Sequence, residues 1–97
     1  MGYLYWEQGK LTEAEPLYEQ ALAIRKELLG FCHPDTAYSL NNLAVLYWAQ
    51  GKLAKAEPLY KQALEIFKQV LGPDHPNTRA VQNNYNSLLQ MMKRDLQ

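Results

Sequence analysis

The chain has one cysteine in 97 residues, so no disulfide can form within it, and a reducing compartment, the cytoplasm, is expected. It has no excess charge, since ten Lys+Arg balance ten Asp+Glu. Without a net field, neither nucleic acid nor an anionic membrane surface is an expected partner. Its apolar runs are only a few residues long, far short of the roughly 20 needed to span a bilayer. The opening residues Met1-Gly2-Tyr3-Leu4-Tyr5-Trp6-Glu7 lack the basic start and apolar middle of a secretory signal and read as part of the fold. Gly2 is no myristoylation site, because Trp6 occupies the position that needs Ser or Thr. Glycine-rich phosphate loops, paired-carboxylate sites and zinc-ligand spacing are all missing. No enzyme activity, cofactor or metal is expected.

What the sequence does contain is itself, twice. Tyr5-Trp6-Glu7-Gln8-Gly9-Lys10-Leu11 returns 42 positions later as Tyr47-Trp48-Ala49-Gln50-Gly51-Lys52-Leu53. Ala14-Glu15-Pro16-Leu17-Tyr18 returns as Ala56-Glu57-Pro58-Leu59-Tyr60, and Leu29-Gly30 as Leu71-Gly72. His33-Pro34 and Asn41-Asn42 return as His75-Pro76 and Asn83-Asn84. Repetition at a fixed period of this size marks a duplicated structural unit.

Within a unit the apolar spacing is helical. Leu40, Leu43, Ala44 and Tyr47 share one face, as do Leu59, Tyr60, Ala63, Leu64, Phe67, Val70 and Leu71. Gly51 between the two sets suits a tight turn, and Gly30 and Gly72 suit helix ends. Thr12-Glu13-Ala14-Glu15 reads as a capping box, with Pro16 close enough to the helix start to cost little. His33-Pro34 and His75-Pro76, followed by Asp35 or Asn77, open the next helices. The expected helices lie near 2–8, 12–29, 35–50, 54–71 and 77–94. The fold class is all-α, with hairpins stacked into a right-handed solenoid because no hairpin this small buries its apolar faces alone.

These residues resemble the tetratricopeptide repeat in its 42-residue form, the kind found in kinesin light chains. The signature is Leu43, Ala44, Tyr47, Gly51, Ala56, Tyr60 and Ala63 in one unit and Gly2, Tyr5, Gly9, Ala14, Tyr18 and Ala21 in the other. Leu71-Gly72-Pro73-Asp74-His75-Pro76 followed by Asn83-Asn84 looks especially like the kinesin light chain repeats. The division expected is a truncated first repeat at 1–30, a complete repeat at 31–72 and a capping helix at 73–97. Truncation follows because Met1 aligns with Leu43, and capping because Tyr85, Asn86 and Ser87 stand where Leu43, Ala44 and Val45 would.

The resemblance implies a protein-binding scaffold whose concave groove takes a peptide of a partner. By motif position the groove comprises Tyr3 and Trp6, then Tyr38, Asn41, Asn42, Val45 and Trp48, then Ala80, Asn83, Asn84, Ser87 and Met91. An asparagine amide offers a donor and an acceptor together, so it can clamp a peptide backbone whatever its sequence. Trp6 and Trp48 are candidate anchors. The plainer alternatives are asparagines bonded to one another or to helix backbone, and tryptophans packed between hairpins. Arg79 could meet a carboxylate, but the dense Lys/Arg set of chaperone-binding relatives is missing, so their clamp is not expected. Cys32-His33 reads as an incidental thiol beside a helix-start residue, since neighbours in sequence point different ways.

A second expectation is self-association, as a homodimer or larger assembly. The uncovered apolar face of helix 12–29 at the truncated N-terminal edge would pair with another copy. Charge balance bears on this too. Glu13, Glu15, Glu19 and Glu27 outweigh Arg25 and Lys26 on that helix, whereas Lys55, Lys61 and Lys68 outweigh Glu57 and Glu65 on its counterpart. The alternative is two solvated faces.

Overall fold

The structure, a computed structural model, describes residues 8–95. Four helices follow one another: α1 (Gln8–Leu29), α2 (Pro34–Ala49), α3 (Leu53–Val70) and α4 (Pro76–Asp95). Each packs on the next, so α2 is held between α1 and α3, and α3 between α2 and α4. The described residues are all-α, as the periodicity requires, and three of the expected helices keep their places to within a residue. The expected helix near 2–8 lies outside the described residues except for Gln8.

The turns obey the punctuation of the sequence. Gly51 sits at φ +80, where a Cβ would strain the backbone, and the tight α2–α3 turn closes with Lys52 N–H donating to the Tyr47 carbonyl at 2.8 Å. Gly30 and Gly72 end α1 and follow α3 in the same left-handed conformation. His33 caps α2 by accepting the Asp35 N–H on Nδ1 at 3.0 Å, and His75 accepts the Asn77 N–H at 3.1 Å. These histidines start helices.

One local expectation is corrected. Gly9-Lys10-Leu11 was expected to turn as Gly51-Lys52-Leu53 does, but α1 runs through it without a break. Glycine accepts helical angles as readily as left-handed ones, so context decides. Here Leu11 is buried in the core, and its carbonyl accepts from the Gln50 side chain at 3.2 Å, which ties this stretch to the end of α2. Thr12 therefore lies inside α1 and cannot be its cap, and Pro16 sits in the helix interior rather than near the start. Glu15 serves a different purpose, pairing with Lys52 at 3.1 Å.

The core centres on α3. Ala56, Tyr60, Ala63, Ile66 and Phe67 are buried there, and Ala37, Leu40, Ala44 and Leu46 of α2 pack into the same cluster. The small residues let the helices approach, and the large rings fill the space between neighbouring hairpins. Phe67→Ala is expected to cost about 3–5 kcal/mol by opening a cavity among fully buried neighbours. Gly51→Ala, where the added methyl meets open space, is expected to cost only about 1–2 kcal/mol from the backbone angle. Urea unfolding of both variants checks the order.

Candidate functional site

Two aromatic side chains define the site because α3 fixes both. Tyr38 stands edge-on to Phe67, with ring centroids 5.2 Å apart at 78°. Trp48, three turns further along α2, stands edge-on to Tyr60 at 6.1 Å and 89°. Such contacts contribute about 0.5–1.5 kcal/mol beyond area burial. Each ring also reaches α4. The Asn77 amide donates to the Tyr38 hydroxyl, and the Trp48 indole N–H donates to Met91 Sδ at 3.2 Å. Tyr38 and Met91 nevertheless stay 38% and 40% exposed.

Between these two bridges lies a strip. Asn41 and Val45 continue the α2 stripe at helical spacing, and Ala80, Asn84 and Ser87 continue that of α4 from Asn77 to Met91. Ten residues separate Tyr38 from Trp48, so the strip is about 15 Å long. That accommodates four or five residues of an extended chain.

The four asparagines part company. Asn41 is half-buried with its Oδ1 sealed from solvent and without a hydrogen-bond partner, and Asn84 is half-buried. Asn42 turns toward α1, lining a small depression with Tyr18, Ala21, Arg25 and Ser39. Asn83 lines another with Thr78, Arg79 and Gln82, together with Lys68 and Pro73. Among the described residues no hydrogen bond is made by any of these four side chains. Ser87 and Ala80 are exposed, Val45 is partly buried against the core, and Tyr3 and Trp6 lie outside the described residues. Asn77, read from sequence as a helix-opening residue, also bridges to α2. The one sequence signal for it is that Asp35, which cannot donate from its carboxylate, holds the equivalent place in the first unit.

Tyrosine–glutamate bonds stitch successive hairpins behind the strip. Tyr47 donates to Glu19 of α1 at 2.8 Å, and Tyr85 donates to Glu57 of α3 at 2.5 Å. Arg25 adds bonds to the Asp35 carbonyl at 3.0 Å and to Ser39 at 3.2 Å. Burial, then Glu19, pushes the Tyr47 phenol up to about 12; Glu57, then burial, does the same to Tyr85, and burial alone to Tyr60. The Lys52 ammonium holds the Glu15 carboxyl below its usual range. Lys52 and Lys55 also lie over the Tyr47 ring, at 5.8 and 5.6 Å from its centroid. The opposite charge balances of α1 and α3 thus meet in part at the edge of α2.

A family model described as the tetratricopeptide repeat matches residues 1–69 and again 35–96, two overlapping frames that together span the chain. The chain belongs to the tetratricopeptide repeat family. No curated protein matches it. Tetratricopeptide repeats generally mediate protein–protein interaction, and the strip between α2 and α4 sets aromatic rings beside amides without bonds. Among the described residues no group of His, Cys, Asp or Glu is gathered that could hold a metal, and no helix is long and apolar enough to cross a membrane. Cys32 is exposed, and the Nδ1 of the adjacent His33 is occupied by the Asp35 amide.

The raised tyrosines give a test of the stitching. A phenol raised in the folded state contributes stability that is fully present below the unfolded value near 10 and is lost as pH rises through about 12. Stability measured by urea unfolding should therefore fall between pH 10 and 12, ahead of the phenolate absorbance of these tyrosines in the folded chain, which rises near 12. In Tyr47→Phe/Tyr85→Phe the fall should be smaller, with Tyr60 left to supply the remainder.

Proposed function

We propose that this tetratricopeptide repeat protein is a non-catalytic scaffold that binds an extended segment of a partner polypeptide along the α2–α4 strip. The observation that carries the reading is the pair of bridges, Tyr38 to Asn77 and Trp48 to Met91, which frame Asn41 and Asn84 with no internal partner for either amide. The Asn84 amide and the amino group of Asn41 would bond the peptide backbone, while Trp48, Val45 and Met91 would receive an apolar side chain. Asn42, Asn83 and Ser87 would act at the margins, as would Tyr3 and Trp6 in the first repeat. The 42-residue period and the paired asparagines support a kinesin light chain-like kind of repeat, with a right-handed winding. Repeat boundaries at residues 30 and 72, with a complete repeat at 31–72, would follow from that kind. The single cysteine supports a cytoplasmic setting.

Selection of binders from a displayed peptide library tests it. Asn41→Ala/Asn84→Ala should weaken the selected peptides about tenfold, the sum of two hydrogen bonds, whereas Asn42→Ala should change little. Equal affinity for both variants and the parent would remove the strip from the site.

A separate observation favours a second reading, self-association through α1. Ile24 is 54% exposed where its counterpart Ile66 is 2% exposed, and Leu17 and Leu28 are 64% and 75% exposed along the same face. The fold covers Ile66 on α3, and a second copy would cover Ile24 and its neighbours on α1. Light scattering over a concentration series should give a dimer that Leu17→Ser/Leu28→Ser dissociates. A monomer at every concentration would rule this out.

A further inference from the structure

The end of α3 and the first turn of α4 enclose a depression of about 330 Å³ lined by Lys68, Pro73, Thr78, Arg79, Gln82 and Asn83. Its lining holds two cations, two amides and a hydroxyl, and no carboxylate. Neither Lys68 nor Arg79 has an ion-pair partner among the described residues. Thr78, only 1% exposed, has a hydroxyl with no hydrogen-bond partner.

The equivalent corner of the preceding hairpin is built differently. There Lys26 lies over the Phe31 ring at 5.2 Å, and Thr36 donates to the Gly30 carbonyl at 2.8 Å. Ala37 and Leu40 are fully buried in the core. In the second corner the lysine and threonine persist as Lys68 and Thr78, but Pro73 replaces the ring, and Arg79 and Gln82 replace Ala37 and Leu40. The carbonyl equivalent to that of Gly30, on Gly72, accepts instead from the His75 N–H at 3.3 Å. Four changes together turn a packed, apolar corner into an open, cationic one. The dipole of the α4 N-terminus, where Thr78 and Arg79 stand third and fourth, adds to the positive potential, while the Asn77 and Arg79 N–H groups are taken by His75.

We propose that this corner binds an oxyanion carried by the partner peptide, the phosphate of a phosphorylated side chain or the carboxylate of an acidic one. Lys68 supplies a point charge and Arg79 a planar fork of donors, the pair of groups by which such oxygens are held. Asn83 donates from its amide at the rim, and Gln82 from the amide proton left over by its bond to Asn86. Asn83, at the edge of the peptide strip by motif position, belongs to this subsite. The proposal rests on the peptide-binding reading above and assigns the chemistry of one residue of the peptide.

The test is a nitrogen–proton correlation titration of the full chain with three capped amino acids: N-acetyl phosphoserine, N-acetyl glutamate and N-acetyl glutamine, each as its N-methylamide. Phosphoserine should shift the amides of Thr78, Arg79, Gln82 and Asn83 saturably, glutamate should do so more weakly, and glutamine should not. Lys68→Gln/Arg79→Gln, which alters exposed side chains only, should keep the circular dichroism of the parent and weaken the anions at least about tenfold. Glutamate equal to or above phosphoserine would assign the subsite to a carboxylate. Shifts that never saturate, that glutamine reproduces, or that persist undiminished in the double variant would overturn the proposal. Failure of the wider reading is separable. If library peptides bind along the strip while these anions bind nowhere, the subsite falls and the strip stands. If the anions bind while no peptide does, the strip falls and the subsite stands as an anion site.

Discussion

The structure depends on two buried rings of α3. Phe67 and Tyr60 are 0% and 1% exposed, about two turns apart on the helix, and each packs edge-on with an aromatic side chain from α2. These contacts set the spacing of the hairpin and also fix the rotamers of Tyr38 and Trp48. Side chains so held have little entropy left to lose when a ligand arrives. The same packing that stabilises the fold therefore preorganises its binding surface. Met91 and Asn77 of α4 complete each ring's surroundings from the other side. A change at Phe67 or Tyr60 reaches the surface through one intervening ring.

Between hairpins the bonding is polar. Tyr47 with Glu19 and Tyr85 with Glu57 join a helix to the one before it, each across 28 residues of sequence. The two bonds are not copies of each other, since Tyr85 occupies the place of Leu43 rather than that of Tyr47. At the second junction Tyr85 makes the bond and Leu89 stands in the place of Tyr47, one turn later. The two ends of the stack also differ. Leu17, Ile24 and Leu28 leave α1 apolar on its open side, whereas Arg79, Gln82 and Asn83, with a Gln82–Asn86 bond at 2.9 Å, leave α4 polar.

Much of the fold could be read in the sequence because a 42-residue period exposes its own punctuation. Gly51, Gly30 and Gly72 turn where the pattern placed them, and both histidines cap helices. The failure at Gly9 has the same cause as the successes. The sequence there is that of a turn, but whether glycine turns is decided by the packing around Leu11, which a local pattern does not contain. The binding strip was readable as a set of helical positions and not as contacts. Helical spacing placed Tyr38, Asn41, Val45 and Trp48 on one face, yet adjacent residues such as Asn41 and Asn42 diverge by about 100°, so the paired asparagines could not all share one groove. Lys68 was legible only as part of a helix's charge balance, and its pairing with Thr78 was not, because the two come from elements that only the fold brings together.

The central claim is that packing on α3 presents one face of α2 and α4 to a partner chain. Intermolecular nuclear Overhauser effects between an isotope-labelled peptide, chosen by library selection, and the protein test it most directly. The account predicts contacts from the peptide to the Trp48 ring, the Met91 methyl and the Tyr38 ring together. Contacts confined to the opposite side, around Gln62, Ile66 and Gln69 of α3 beside Phe31, would contradict it.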